Sequence, residues 1–151
     1  MTSNMYRCDG IKYENIYLPD KLPDEIYYKL CGAWSPLSGP PDSEQEFSWG
    51  IGKYHTNLLL IIDFGADPPS LAAGSQGVSC ADIQTVEDLG NDLYKLNLYY
   101  KDRFGEETFF YIIGFNPDST IWFEETSGFV FQLTGKEHVL YKTSGPKKPN
   151  Q

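Results

Sequence analysis

Apolar and polar residues alternate in short runs along the second half of the chain, and turn residues separate the runs. In the clearest run, residues 93–101, every second residue from Tyr94 to Tyr100 is apolar or aromatic. A period of two is typical of a β-strand with one buried face. Residues 102–105 and 116–118 then supply the side chains that tight turns favour. The pattern therefore predicts a meander of antiparallel hairpins from Leu93 onward.

Further strand-like segments complete the predicted sheet. Residues 58–64 are apolar on both faces, as a central strand is, whereas residues 78–86 have mixed faces. The other predicted strands are a segment around Trp34 and residues 47–54, 107–113, 120–124, 129–133 and 138–143. We therefore predict a mainly β fold, an antiparallel up-and-down meander of about eight strands that forms a small barrel or sandwich, with one short N-terminal helix.

The single predicted helix precedes the strands. Pro23 stands at a favourable first helical position, and the acidic residues after it suit the positive end of the helix dipole. The helix is expected to span residues 23–30, and Gly32 is placed to end it. Residues 35–48 and 65–77 are rich in chain breakers, so both are expected to be loops.

The chain has 151 residues, which fits a single β domain over residues 1–151. Within it, residues 1–18 are expected to form an N-terminal arm, and residues 145–151 a flexible tail. Tyr, Phe and Trp make up 15% of the chain, and aromatic residues are enriched in strands. Composition therefore favours the same mainly β fold as the pattern.

The charge of the chain excludes some classes of partner. Its formal net charge is −9, from 21 acidic and 12 basic residues. A field of this sign repels phosphate backbones, so we expect no nucleic-acid binding. It suits solubility or a basic protein partner. No apolar run approaches the roughly 18 residues of a membrane-spanning helix, so we expect no membrane span.

Cys8, Cys31 and Cys80 form an odd set without a Cys-x-x-Cys spacing. One disulfide at most is possible, and whether any two are bonded stays open. Idle thiols in a reducing compartment are the simpler account, which favours the cytoplasm, and Cys80 is expected to be a small buried residue. The N-terminus has no apolar segment typical of a signal peptide, although a removed secretory leader stays open.

Residues suited to catalysis are few. His55 and His138 have no spacing that lets one strand or helix present two metal ligands, so no metal site is expected. A site that the fold assembles from both histidines and Asp63 is the remaining metal hypothesis. Asp63 lies in the most apolar predicted strand, and it is the best single candidate for a functional polar group, with a strand-end position as the alternative. We expect no catalytic residues, and an enzyme has the least support.

Residues 30–34 read Leu-Cys-Gly-Ala-Trp and resemble the Gly-x-Trp entry of lipocalins and related calycin proteins. In that family a short helical turn leads into the first barrel strand, and the tryptophan plugs the closed end. The matching order covers roughly residues 23–143. The chain departs from the family pattern at two places: the basic residue that often covers this tryptophan from the last strand would be Lys142 rather than an arginine, and the family's Thr-Asp-Tyr-like turn has no clear counterpart. The resemblance implies structural roles for Gly32 and Trp34, a pocket for a small apolar ligand, and no cofactor.

Two functional hypotheses follow from the predicted barrel. The first is a non-catalytic, lipocalin-like binding protein that holds a small apolar ligand among aromatic side chains of successive strands. The expected ligand-binding residues are Tyr94, Tyr100, Phe109, Tyr111, Trp122 and Phe131, together with Asp63. The alternative is a protein–protein interaction module of the inhibitor, immunity or assembly type. It would use the acidic loop at residues 42–46 or an exposed aromatic sheet face.

Overall fold

The structure, a computed structural model, describes residues 15–55, 59–74, 78–125 and 135–149. It is mainly β with one α-helix in these ranges, as predicted. The helix, α1, is Asp24–Leu30, and a turn of 3-10 helix at Pro19–Lys21 precedes it. The strands are β1 Ile16–Tyr17, β2 Gly32–Ser35, β3 Ser43–Phe47, β4 Gly50–Tyr54, β5 Leu59–Asp63, β6 Ser70–Gly74, β7 Val78–Gly90, β8 Leu93–Asp102, β9 Gly105–Phe115, β10 Ile121–Glu125 and β11 Tyr141–Ser144.

Eight strands form a barrel-like antiparallel sheet. They lie in the order β10, β9, β8, β7, β6, β5, β2 and β11. The two end strands approach each other at one bridge, where the backbones of Ile121 and Leu140 exchange hydrogen bonds of 3.0 and 2.7 Å. This bridge nearly closes the sheet, so of the two predicted forms the structure has the barrel. Closure reduces the number of strand edges that are open to pairing with another chain.

Alternate residues of the long strands point into the barrel. In β8, Tyr94, Leu96 and Leu98 are buried, and the residues between them are only partly buried. The register places them beside the buried residues of β9, since Leu96 lies opposite Tyr111. The predicted one-sided pattern of residues 93–101 is therefore confirmed, and the strand extends one residue further.

The helix begins one residue later than predicted and ends at the predicted residue, but Gly32 does not end it. Cys31 is already extended, with φ −69° and ψ 123°, and Gly32 is the first residue of β2. A Cβ on Gly32 would lie 2.6 Å from the backbone carbonyl oxygen of Ser144. The close approach of β11 therefore requires this glycine, and its expected role as a helix stop is wrong.

The predicted loop at residues 35–48 contains a strand. Its last part forms β3, which pairs with β4 across a turn at residues 48–49. Residues 47–54, predicted as one strand, therefore hold the end of β3, the turn and all of β4. The expected acidic loop at residues 42–46 lies mostly within β3, so its description as a loop is wrong. The pattern missed β3 because Phe47 is its only buried residue.

The β3–β4 hairpin covers the outer face of the barrel. Phe47 packs there in a second apolar cluster with Ala33 of β2, Ile61 of β5 and Ala72 of β6. The ring of Phe47 stacks on that of Trp49, with centroids 4.6 Å apart. The small outward side chains of the two alanines leave room for these rings, so the barrel wall has apolar residues on both of its faces here.

The predicted loop at residues 65–77 also contains a strand. β6 lies between β5 and β7, and its residues Leu71, Ala72 and Ala73 are buried. The three apolar residues show no alternation, and chain breakers flank them, so the sequence pattern did not predict a strand. Pairing with two neighbours stabilises this short segment, since tertiary context overrides local propensity in strands.

Some predicted segments lie partly or wholly outside the described residues. These are residues 1–14 of the arm and the predicted strand at residues 129–133. In the described part of the arm, β1 pairs with the second half of β7. The last predicted strand begins later than residue 138, because residues 135–138 form a turn in which the His138 N–H donates to the Gly135 carbonyl at 3.1 Å.

Candidate functional site

Three of the aromatic residues that were expected to line a ligand pocket belong to the barrel core. Tyr94, Phe109 and Tyr111 are buried there. Tyr111 stacks on Phe123, with parallel rings and centroids 5.4 Å apart, and the Phe109 ring lies 6.1 Å from that of Tyr111. These buried side chains belong to one core cluster in the described part of the barrel, in which Phe109, Tyr111 and Phe123 are in ring contact.

The other expected rings have different positions. Tyr100 packs against the core but is only partly buried. Trp122 is outside the core cluster, although both of its neighbours in β10 belong to it. Its indole lies on the outer face over Gly114, where a Cβ would have no room. Trp122 therefore does not face the barrel interior with the others, and Phe131 lies outside the described residues.

Asp63 accepts three hydrogen bonds at the end of β5. Its Oδ1 accepts from the Ser48 hydroxyl at 2.5 Å and from the Gly65 backbone N–H at 3.0 Å. Its Oδ2 accepts from the Ser48 backbone N–H at 3.3 Å. The carboxylate thus joins the tip of the β3–β4 hairpin to the turn after β5. Asp63 therefore lies at a strand end, which was the alternative prediction. Its carboxylate oxygens accept hydrogen bonds from two turns and stabilise both of them.

Trp34 lies at the end of the barrel next to α1, which we call the floor. Its Nε1–H donates to the carbonyl of Leu30 at 3.0 Å. Lys142 of β11 pairs with Trp34 of β2, and its Nζ stands 5.3 Å from the centre of a Trp34 ring. The same ammonium donates to the backbone carbonyl of Tyr28 at 2.8 Å. A cation from the last strand thus covers the tryptophan and joins it to the helix.

The described cysteines are both free, and they differ in exposure. Cys31 is buried behind α1, and burial raises the pKa of its thiol to about 11. Burial likewise raises the pKa of Tyr27 to about 12. Cys31 is therefore a protonated thiol at neutral pH and not an activated nucleophile. Cys80 is exposed on β7, so its expected burial is wrong, and Cys8 lies outside the described residues.

The two histidines have separate local partners. His55 is buried, and its Nε2 lies 3.0 Å from the carbonyl oxygen of Gly39, which fixes the loop before β3. His138 lies in a turn, 3.7 Å from a Glu137 carboxylate oxygen. Within the described ranges, no group of three or more His, Cys, Asp and Glu side chains is arranged to hold a metal ion.

The β3–β4 hairpin and the chain after β11 form the walls of an open cavity of about 840 Å³, which we call the hairpin cleft. Ile51 on its wall is 77% exposed. Trp49 contributes a half-buried indole whose Nε1–H donates to the Ser144 hydroxyl at 2.8 Å. The residues that line the cleft are Tyr27, Pro41, Trp49, Ile51, Gly52, Lys53, Thr143, Ser144, Gly145, Pro146 and Lys147.

A second cavity of about 380 Å³, which we call the floor crevice, lies between α1 and the barrel floor. Its walls combine aromatic side chains with three lysines. They are formed by Glu25, Tyr28, Lys29, Trp34, Phe115, Ser119, Lys142 and Lys148. Lys29 is held in place by a 2.6 Å ion pair with Asp92 and by a 3.0 Å hydrogen bond to the Tyr94 hydroxyl.

A third cavity is a groove of about 460 Å³ on the outer face of β7, β8 and β9. Asn97 on its wall donates from Nδ2 to Glu87 at 2.5 Å and to the Thr85 hydroxyl at 2.9 Å. Lys95 lies 3.8 Å from the same buried carboxylate. These polar contacts cross the β-bulge between β7 and β8, so we assign them to holding the two strands in register.

Comparison with known proteins identifies no relative. No family model, no curated protein and no solved structure matches the chain. Among the described helices, none has the length and apolar character needed to cross a membrane.

Sequence reasoning missed the residues of the hairpin cleft. Trp49 and Ile51 are close together in sequence, but Lys147 lies far from them along the chain, and none of the three was expected to bind a ligand. The only local signal was Ile51, an isolated apolar residue between two glycines, which shows no period in the sequence. Only the folding of the hairpin against the end of the chain brings these residues together.

Proposed function

We propose that this chain is a non-catalytic binding protein with a lipocalin-like barrel, and that its ligand is a small, mainly apolar molecule. The barrel type is supported by the floor, where Trp34 lies beside α1 and Lys142 of the last strand covers it. Gly32 supports it further, because β11 passes too close to this residue for a side chain. These residues carry the sequence resemblance, and their mutual contacts give each of them a structural role.

The ligand site that we propose is the hairpin cleft, and one observation carries this choice. Ile51 is 77% exposed on the wall of a cavity whose volume of about 840 Å³ is typical of small-molecule sites. When a ligand covers a large aliphatic side chain and removes it from water, the free energy falls, and this favours binding. Of the core rings that were expected to bind the ligand, Phe109 and Tyr111 contact each other, and Tyr94 is buried in the same cluster.

The chemistry of the cleft suits a ligand with an apolar body and a polar end. Trp49 and Ile51 provide apolar surface, and the Phe47 ring stacks on the indole of Trp49 and holds it in place. Ser144 provides a hydroxyl group on the cleft wall, which accepts from the Trp49 indole N–H at 2.8 Å, whereas the Thr143 hydroxyl donates to the Ala33 carbonyl at 3.2 Å. A few polar groups among apolar ones fix the orientation of a ligand in most small-molecule sites.

A fluorescence titration with the neutral apolar dye N-phenyl-1-naphthylamine tests the proposal. We expect saturable binding to the unmodified chain and about tenfold weaker binding to Ile51→Ser, since roughly 1.4 kcal/mol of apolar contact is lost. Phe104→Ser is the matched control, because Phe104 is 82% exposed at the turn between β8 and β9 and does not line the cleft. Its affinity should equal that of the unmodified chain.

A third variant separates the cleft from the barrel interior. Tyr100 is only partly buried, and it is one of the residues that the sequence assigned to an interior pocket. If Tyr100→Ala weakens dye binding and Ile51→Ser does not, the ligand binds inside the barrel and the cleft assignment is wrong. If the unmodified chain takes up no dye, the binding function itself loses its support.

A further inference from the structure

The floor crevice carries an unusual charge for this chain. The chain has only 12 Lys and Arg residues and a net charge of −9, yet three lysines line this one cavity of about 380 Å³. Lys29 is neutralised by Asp92. In the described part of the chain, Lys142 and Lys148 form no ion pair with a carboxylate, and Glu25 on the crevice wall forms none either.

The two unpaired ammonium groups act on each other. Although much of the Lys142 side chain stays exposed, partial desolvation of its ammonium lowers its pKa. Cys31 opposes this effect only as a thiolate, and the charge of Lys148 adds to it. Lys142 is nevertheless fixed in position, because its Nζ donates to the Tyr28 carbonyl and stands over Trp34. Two like charges thus share one crevice, and the carboxylate on its wall, Glu25, forms an ion pair with neither of them.

We propose that the floor crevice binds a small organic oxyanion, a carboxylate or a phosphate, between Lys142 and Lys148. An anion there forms charge-assisted hydrogen bonds to both ammonium groups and offsets their repulsion. Trp34 is 1% exposed beneath Lys142, so the apolar part of the same ligand contacts the ring of Phe115 on the crevice wall. A volume of about 380 Å³ admits a ligand with a single ring and a single anionic group.

The course of the chain after β11 provides a matched control for this proposal. Gly145 packs against Lys142, since a Cβ on Gly145 would lie 3.0 Å from the Lys142 Cε. Beyond this point, Lys147 lines the hairpin cleft and Lys148 lines the floor crevice. Two adjacent, exposed lysines therefore face different cavities, and the same substitution removes a charge from one cavity or from the other.

Isothermal titration calorimetry of the full chain tests the proposal with benzoate, phenyl phosphate, acetate and inorganic phosphate as probes. We expect one of the two ring-bearing anions to bind saturably, and the preferred one identifies the anionic group. Lys148→Gln should weaken that binding about tenfold, and Lys147→Gln should leave it unchanged. The small anion with the same charged group should bind at least about tenfold more weakly than its ring-bearing partner, because it lacks the contact with Phe115.

The site is located by the indole N–H signal of Trp34 in two-dimensional NMR, assigned with Trp34→Phe. The ring-bearing anion should shift this signal and leave that of Trp49 in place. Equal affinities of Lys147→Gln and Lys148→Gln would overturn the proposal, as would the absence of saturable binding of both ring-bearing anions. A shift of the Trp49 signal alone would place the anion in the hairpin cleft, which also contradicts it. Since the neutral dye carries no charge, its binding tests the cleft independently.

Discussion

The inside of the barrel and its outer face under the hairpin are both apolar, but they are packed differently. Inside, Tyr111 and Phe123 are fully buried and stack in parallel. Outside, Phe47 and Trp49 also stack, but the hairpin ends in an open cleft and leaves Ile51 exposed. In the barrel interior, aromatic rings fill the core. Under the hairpin, they form part of a surface beside the open cleft.

This difference shows why a count of rings does not locate a binding site. Side chains that alternate regularly along paired strands face neighbours at the spacing at which rings fill a core. On the outer side of the hairpin, the described residues leave Ile51 77% exposed, and this is the apolar residue that we propose a ligand contacts. The binding surface is therefore expected where the β3–β4 hairpin packs on the barrel, and the regular strands of the barrel stabilise the fold.

The largest effect is expected from truncation inside the barrel. Phe123→Ala removes a fully buried ring that stacks on Tyr111, and it should lower the free energy of unfolding by about 4 kcal/mol. Urea unfolding followed by far-UV circular dichroism measures this loss. A loss below about 1 kcal/mol would mean that the interior has room to collapse, and the interior would again be a candidate ligand pocket.

Truncation of a side chain under the hairpin should lower the free energy of unfolding less than truncation inside the barrel does. It should weaken ligand binding more. Phe47→Ala removes the ring that supports Trp49, and we expect a loss of about 2 kcal/mol because the site is close to solvent. Affinity for the neutral dye should fall at least about fivefold, since Trp49 loses its stacking partner. Phe47→Leu is the control, which keeps most of the volume and should keep most of the affinity. Unchanged dye binding by Phe47→Ala would separate the hairpin from the ligand site.

The smallest expected effect is on the pH dependence of stability, through the buried and protonated thiol of Cys31. Because the pKa of Cys31 is raised from 9.0 to about 11, the folded chain holds this proton more tightly than the unfolded chain. The stability that the thiol contributes is fully present below pH 9 and is lost as pH rises through about 11. Tyr27, with a pKa of about 12, acts in the same direction at higher pH.

The free energy of unfolding, measured between pH 8 and pH 10, checks the sign of this pH dependence. Over this interval, the free energy of unfolding of the unmodified chain should fall by about 1 kcal/mol more than that of Cys31→Ala. Cys80→Ala is the matched control, because Cys80 is exposed and should leave the pH dependence unchanged. Identical slopes for Cys31→Ala and the unmodified chain would show that the thiol does not carry the effect.

The fold was predictable where the sequence carries a strict period. The hairpins from β8 to β10 were found from alternation and turn residues, and their bounds differ from the predicted ones by two residues at most. β3 and β6 were missed because one is almost entirely polar and the other is a short run of Leu-Ala-Ala. In both, pairing with a neighbouring strand decides the structure, and the local sequence contains no sign of the neighbour.

The candidate site was less predictable than the fold. Gly32 and Trp34 were recognised as a structural pair with Lys142 as the residue over the indole, and the Lys142 Nζ stands 5.3 Å from the centre of a Trp34 ring. The cleft and the crevice were not predicted, because each combines the end of the chain with an element far away in sequence. Lys147 and Lys148 looked like two charges of a frayed tail, and only their positions in the fold assign them to different cavities.

Locating the bound apolar ligand is the most direct test of the proposed function. The indole N–H signals of the tryptophans report its position. Trp34 marks the barrel floor, Trp49 the hairpin cleft and Trp122 the outer face of β10. During a titration with the neutral dye, the indole N–H signal of Trp49 should shift in two-dimensional NMR, and those of Trp34 and Trp122 should stay in place. A shift of Trp34 with an unchanged Trp49 would put the dye at the barrel floor and not in the hairpin cleft, which would contradict the account.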